Sequence, residues 1–255
     1  MMRGICLGLT CAILLAAVPR AAAQTTSQDR ERARPIYRAA WEHMRAEAWP
    51  EAARAFQQAI DIDPSFEDAH YGLGRASMGM KKYSDAVKAY LRCRELYQAQ
   101  AGRQFSNQHE AQRYRQDRLT ELDEVIRQYQ TGPQTVQAQE RLRQLQEQRR
   151  QLQDRLSRGV NMTIAQAVPP FVSLALGSAY FRSERFAEAE REYKAAIAGD
   201  PRSGEAYSNL AVVYLYSERY AEAENAVKAA EKTGFKVNPG LKEDIRKRKA
   251  GGAPS

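Results

Sequence analysis

A set of small and aromatic residues returns every 34 positions along this chain, and that period confines it to a narrow set of architectures. Ala40, Trp49, Ala52, Phe56 and Ala59 recur as Gly74, Tyr83, Ala86, Tyr90 and Cys93. Further on, Leu176, Gly177, Tyr180, Phe186, Ala189 and Ala196 recur as Leu210, Ala211, Tyr214, Tyr220, Ala223 and Ala230. A unit of this length cannot bury its own apolar face, so it is stable only when neighbours stack on it.

Within each unit the apolar residues follow three-and-four spacing, the mark of amphipathic helices. In the first unit this holds over 35–47 and again over 51–62. Pro50 suits the first turn of a helix, where its missing N–H costs nothing. Asp63-Pro64 and Asp200-Pro201 punctuate the ends of two units at matching places, which supports the register independently. Small residues at Ala40, Ala52, Gly74, Ala86, Gly177, Ala189, Ala211 and Ala223 leave room for close helix crossing. Phe56, Tyr83, Tyr90, Phe186, Tyr193 and Tyr220 fill the spaces beside them. The chain therefore reads as all-α, four helix-turn-helix units arranged two plus two.

The series Leu176-Gly177-x-x-Tyr180, Ala189-x-x-x-Tyr193, Ala196 and Pro201 resembles the tetratricopeptide repeat (TPR) family, and the other three copies resemble it with modest substitutions. The resemblance covers 33–98 (repeats 1 and 2) and 169–237 (repeats 3 and 4). It implies a right-handed superhelix of antiparallel helix pairs whose concave face binds peptides or protein segments, and it does not imply catalysis.

Between repeats 2 and 3 the register breaks, since Gly74 and Gly177 stand 103 residues apart. Continuing the repeat frame across the interval puts Gln108, Thr120, Arg127, Leu142 and Asp154 near positions that demand small residues, which argues against hidden copies. The insertion, 99–168, reads instead as two long polar helices broken at Thr131-Gly132-Pro133. Leu119, Leu122, Ile126 and Tyr129 form a seam on the first, and Leu142, Leu145, Leu152 and Leu156 form one on the second, with Arg149 interrupting one seam position. Two such stripes joined by a turn predict an antiparallel coiled-coil hairpin. About 22 helical residues at roughly 1.5 Å each would give an arm of about 33 Å. A hairpin returns the chain to its starting point, so one solenoid with a projecting arm is the expected picture. Two separate repeat pairs are the alternative.

The ends carry their own signals. Arg3, an apolar run from Ile5 to Val18 and the small residues Ala21-Ala22-Ala23 read as a signal peptide, 1–23, cleaved before Gln24. The run has 14 residues, short of the roughly 20 of a membrane-spanning helix. Export to the periplasm or cell exterior of a bacterium is the expectation, with retention as an anchor the alternative. Cleavage would remove Cys6 and Cys11 and leave Cys93 alone, so no internal disulfide can form. Residues 24–32 are polar without apolar period and predict a flexible linker. Asn238-Pro239 opens a capping helix over 238–250, with Leu241 and Ile245 turned to the last repeat, before a disordered tail at 251–255. From Lys228 to Lys249 there are eight lysines and arginines against Glu231, Glu243 and Asp244. That stretch predicts a solvated basic cap able to touch an anionic envelope surface weakly. Export and the mixed signs along the arm argue against nucleic acid as a partner.

A chemical site is not legible. The three histidines, His43, His70 and His109, pair with no cysteine or carboxylate at ligand spacing on one helix face. Asp61-x-Asp63 is a fragment of a calcium loop stopped by Pro64. No phosphate loop, nucleophile elbow or metal-binding cysteine pair occurs, so neither enzyme activity, cofactor nor metal is expected. The resemblance instead points first-helix residues into the groove: Tyr37, Trp41, Met44, Tyr71, Arg75, Met78, Ser178, Phe181, Arg182, Ser208 and Tyr216. That surface is aromatic and apolar with a few arginines. Two occupants are open for it, an external protein segment or the chain's own arm or linker. A non-catalytic envelope scaffold binding a protein segment is the expected function. The alternative is a structural oligomer that self-associates through the arm.

Overall fold

The computed structural model describes residues 27–101, 108–131, 136–157 and 168–251; the expected signal segment and residues 252–255 of the expected tail lie outside them. Helices α1 (Ser27–Arg45) and α2 (Trp49–Ile62) form the first hairpin, and α3 (Glu67–Gly79) with α4 (Tyr83–Gln100) the second. Two long helices follow, α5 (Gln108–Thr131) and α6 (Val136–Ser157), packed against each other. The third hairpin is α7 (Pro170–Arg182) with α8 (Phe186–Gly199), the fourth α9 (Gly204–Tyr216) with α10 (Tyr220–Lys232), and α11 (Pro239–Gly251) closes the chain. No strand occurs among the described residues.

Local sequence explains each hairpin. On α2 the buried residues are Ala52, Ala55, Phe56, Ala59 and Ile60, one stripe at three-and-four spacing. The turns inside the hairpins share one geometry. Glu47, Lys81, Glu184 and Glu218 take positive φ of 55° to 59°, and each next residue donates its N–H to a carbonyl five positions back, as in Ala48 to His43 at 2.9 Å and Arg219 to Tyr214 at 2.8 Å. This is the Schellman closure of a helix by a left-handed residue. Between hairpins the Asp-Pro punctuation works through its carboxylate. Asp63 accepts the Ser65 N–H at 2.9 Å, and Asp200 accepts the Arg202 N–H at 3.0 Å. At Gly74 and Gly177 the close approach is literal, because a Cβ would stand 2.5 Å from the Tyr90 ring and 2.7 Å from the Tyr193 ring.

Consecutive hairpins stack through α2 on α3, α4 on α7 and α8 on α9. The contact of α4 with α7 spans the insertion, so the four hairpins form one stack. Tyr71 bridges the join, with its ring 5.5 Å from Tyr90 and 4.9 Å from Phe171. Helix α11 covers the last hairpin with buried Ile245 and with Leu241, and Lys242 and Lys249 reach Glu231 and Glu224 on α10 at 2.9 and 2.7 Å.

Two expectations need correcting. Residues 27–32 belong to α1 and not to a linker. They lack apolar period because Arg30 holds them by charge: it pairs with Asp63 and with Glu67 at 2.9 Å, bonds the Ser65 carbonyl at 3.0 Å, and lies 4.2 Å over the Phe66 ring. The arm, moreover, does not project. Helix α5 lies along the stack, for reasons found in the candidate site.

Candidate protein-binding face

The first helices of the four hairpins, α1, α3, α7 and α9, present the face that the repeat pattern assigns to a groove. Over the first pair of hairpins that face is covered. Midway along α5, Asp117 meets Arg34 of α1 at 3.4 Å, while Arg118 meets Glu67 and Asp68 of α3 at 3.2 and 2.9 Å. Near its end, Tyr129 accepts from Arg75 of α3 at 3.3 Å, and Thr131 accepts from Arg45 of α1 at 3.2 Å. From Asp117 to Thr131 the partners advance from Arg34 to Arg45 on α1 and from Glu67 to Arg75 on α3, so the second half of α5 runs parallel to both helices.

The core of this contact is a buried polar cluster. Glu67 is fully buried, and each carboxylate has one oxygen engaged by the stack and one by the arm. Glu67 Oε2 takes Arg30 and Oε1 takes Arg118. Asp68 Oδ1 accepts the Tyr97 hydroxyl at 2.7 Å and Oδ2 takes Arg118. Arg118 Nη2 then donates to the Tyr97 oxygen at 3.0 Å and closes the cycle. Burial pushes the Tyr97 phenol well above its ordinary range, with the nearby carboxylates adding to this and Arg118 opposing it. The hydroxyl therefore stays protonated and free to donate to Asp68. Burial, then Asp68 and Glu67, also push the Cys93 thiol well up, so it is held as an unreactive thiol. Beside the cluster, burial lowers the pKa of His70, whose Nε2 lies 3.1 Å from the Pro64 carbonyl.

The candidate residues of the first pair sit deeper than an open groove requires. Tyr37, Trp41 and Met44 are buried, with Tyr37 only 1% exposed and its ring 4.8 Å from Phe66, and Trp41 5.3 Å from Phe56. These rings bury there because α1, α2 and α3 meet on them. Arg75 lies over Trp41 at 5.3 Å, and Met78 packs half-buried against the core that Tyr71 joins.

The second pair differs. Ser178, Phe181 and Ser208 are half-buried, while Arg182 and Tyr216 are exposed, Tyr216 at 56%. Phe181, Phe186 and Tyr216 form an aromatic triangle with centroids 5.4 to 5.8 Å apart, and Arg182 lies 5.6 Å from the Tyr83 ring. Ser178 is used internally: its hydroxyl bonds the Leu174 carbonyl and accepts from Tyr193.

On the insertion, Leu119, Ile126 and Leu145 are buried and Leu122, Leu142 and Leu152 half-buried, while the side chain of Leu156 lies outside the described residues. Arg149, which interrupts the seam, pairs with Asp123 across the two helices. Among the described residues no His, Cys, Asp and Glu side chains gather as a metal site, and no helix is long and apolar enough to cross a membrane.

Glu67, Asp68, Tyr97 and Arg118 were not singled out by sequence. An acidic pair opening a helix reads as a complement to the helix dipole. Arg118 is one of many arginines in a polar helix.

Tetratricopeptide-repeat profiles match residues 174–234 and 44–81, and these two segments are tetratricopeptide repeats. Several solved structures are similar. PilW, a widely conserved type IV pilus biogenesis factor, shares 14% identity over 87% of this chain and 88% of its own, with a TM-score of 0.41. A thermophilic TPR protein of Thermus thermophilus shares 18% over 86% and 99%, with a TM-score of 0.36. PilF of Pseudomonas aeruginosa shares 14% over 87% and 89%, with a TM-score of 0.32. At such identities and TM-scores, what those proteins do does not transfer to this one. No curated protein sequence matches the chain.

Proposed function

We propose that this protein is a non-catalytic scaffold that holds a protein segment on the first-helix face of its repeats, chiefly on α7 and α9. The observation that carries this reading is the contrast along one face: α5 covers it over the first pair, whereas the second pair leaves Phe181, Phe186 and Tyr216 clustered with Tyr216 exposed. Clustered aromatics at a surface are favoured anchors for a partner. Export to a bacterial periplasm or exterior is part of the proposal and rests on Arg3, the run Ile5–Val18 and Ala21–Ala23; a mature protein beginning at Gln24 would support it. A weak contact of α11 with an anionic envelope surface rests on its exposed Arg246, Lys247 and Arg248.

The test is affinity capture from envelope extract with the wild-type chain beside a Phe181→Ala/Tyr216→Ala variant. A segment held by the wild type and lost by a folded variant is the expected result. Equal capture by both would remove the aromatic face from the proposal. The alternative, self-assembly through an arm read as a coiled coil, finds Leu119, Ile126 and Leu145 already buried within one chain. It predicts an oligomer that loses its association when 105–160 are deleted.

A further inference from the structure

We propose that Glu67, Asp68 and Tyr97 form a recognition pocket for a guanidinium carried on a helix, that α5 fills this pocket in the resting chain with Arg118, and that the pocket's external partner is a helical segment bearing an arginine in the same place. The proposal shares with the scaffold reading only the first-helix face of the repeats. It concerns the first pair of hairpins, not α7 and α9.

The pocket is preorganised by residues outside the arm. Arg30 of α1 holds Glu67 through Oε2, and Tyr97 of α4 holds Asp68 through Oδ1. Their other oxygens converge on one nitrogen, Arg118 Nη1, at 3.2 and 2.9 Å, while the Tyr97 oxygen meets Nη2. A planar guanidinium is the side chain whose fixed fork suits such a three-acceptor site, and a lysine ammonium would not reach all three with the same geometry. The Arg118 guanidinium also lies 5.6 Å from the Tyr97 ring centroid, within cation–π range. One partner class follows from the charge: a basic side chain on a helix lying parallel to α1 and α3.

The same contacts argue that α5 can be exchanged. Charge and hydrogen bonds join it to the stack at several points, through Arg34 with Asp117, Arg118 with its three acceptors, Arg75 with Tyr129 and Arg45 with Thr131. Buried ion pairs give orientation more than net stability, since desolvation offsets much of their attraction. Close to the arm's contact at Arg75, the buried Trp41 lies under the Arg75 guanidinium, and its indole N–H has no hydrogen-bond partner among the described residues. An arm held by register-setting charges is suited to give way to a helix that makes the same contacts and more.

The test uses a fluorescent peptide of the α5 sequence, residues 108–131, titrated by anisotropy into the full chain. Arg118→Glu sets a carboxylate against Glu67 and Asp68 and expels the arm. This variant is expected to bind the peptide at least tenfold more tightly than the wild-type chain. That gain should vanish with an Arg118→Ala peptide. Should Arg118→Glu fail to fold by circular dichroism, Arg118→Gln in the full chain replaces it with the same expectation in direction. Equal affinity of both chains for the peptide, or a gain that persists with the Arg118→Ala peptide, would overturn the pocket. A wild-type dimer that the peptide dissociates would assign the pocket to a second copy's arm and overturn the external partner. Capture through Phe181 and Tyr216 reads a different face, so either proposal can fail alone.

Discussion

The two pairs of hairpins are built from one repeat, yet they differ in what lies on their first helices. In the first pair, α1 and α3 carry Arg30, Arg34, Glu67, Asp68 and Arg75, and α5 lies over them through charge. In the second, α7 and α9 carry Ser178, Phe181, Ser208 and Tyr216, and the face stays half-open. Ion pairs of the second pair include those of Arg219 and Lys194 with Glu190, on a turn and on α8. The lesson is that a repeat specifies a helix pair and its neighbour contacts, while the few positions outside the packing pattern decide what each face meets.

The sharpest way to break this comparison is in the core, where the two pairs should behave alike. Phe56→Ala empties a fully buried site between Tyr37 and Trp41 and is expected to cost about 3–5 kcal/mol in urea melts. Tyr193→Ala in the second pair should fall in the same range, because both side chains fill the gap beside a small residue.

Charge deletions should separate the pairs. Asp68→Ala strips a buried acceptor from Tyr97 and Arg118 and is expected to cost about 3 kcal/mol. Glu190→Ala breaks the more exposed group with Lys194 and Arg219 and should cost at most about 1 kcal/mol, falling further in salt. Equal costs would show that the acidic cluster is no more buried in solution than the surface one.

Acid should also act on the first pair first. Burial holds the folded pKa of His70 below its ordinary value of 6.5, against the opposing pull of the Pro64 carbonyl, Glu67 and Asp63 and with the help of Arg92. The unfolded chain then binds a proton that the folded chain resists, so stability is full above about pH 6.5 and is lost as pH falls from there toward the folded pKa. His70→Asn should flatten the fall between about pH 7.5 and about pH 5.5 in thermal melts. The second pair contains no histidine and offers no such step.

The smallest effect on stability belongs to Tyr216→Ser, an exposed change expected to stay within about 0.5 kcal/mol while weakening capture of a partner segment.

Much of the fold could be read from residues. The return of Ala40 and Ala52 as Gly74 and Ala86 located two hairpins, and Asp63-Pro64 with Asp200-Pro201 marked where second helices end. The start of α1 could not be read, because Arg30 finds Asp63, Ser65 and Glu67 more than thirty residues away and leaves no local period. For the candidate face, Phe181 and Tyr216 were legible as first-helix aromatics. Tyr37 and Trp41 were legible in type but not in depth, since Phe56, Phe66 and Arg75, which lie around them in space, help decide how far they are buried.

By itself the sequence determined helices, hairpins and their stacking within each pair, because those rest on periodicity and turn chemistry between residues at most one repeat apart. Tertiary structure alone decided that the arm lies along the stack and not away from it. That outcome depends on single charges, Arg118 with Glu67 and Asp68 and Asp117 with Arg34, which stand 50 residues or more apart in the chain. A lone charge in a polar helix has no period, and its partner is fixed only when folding brings the acceptors to it.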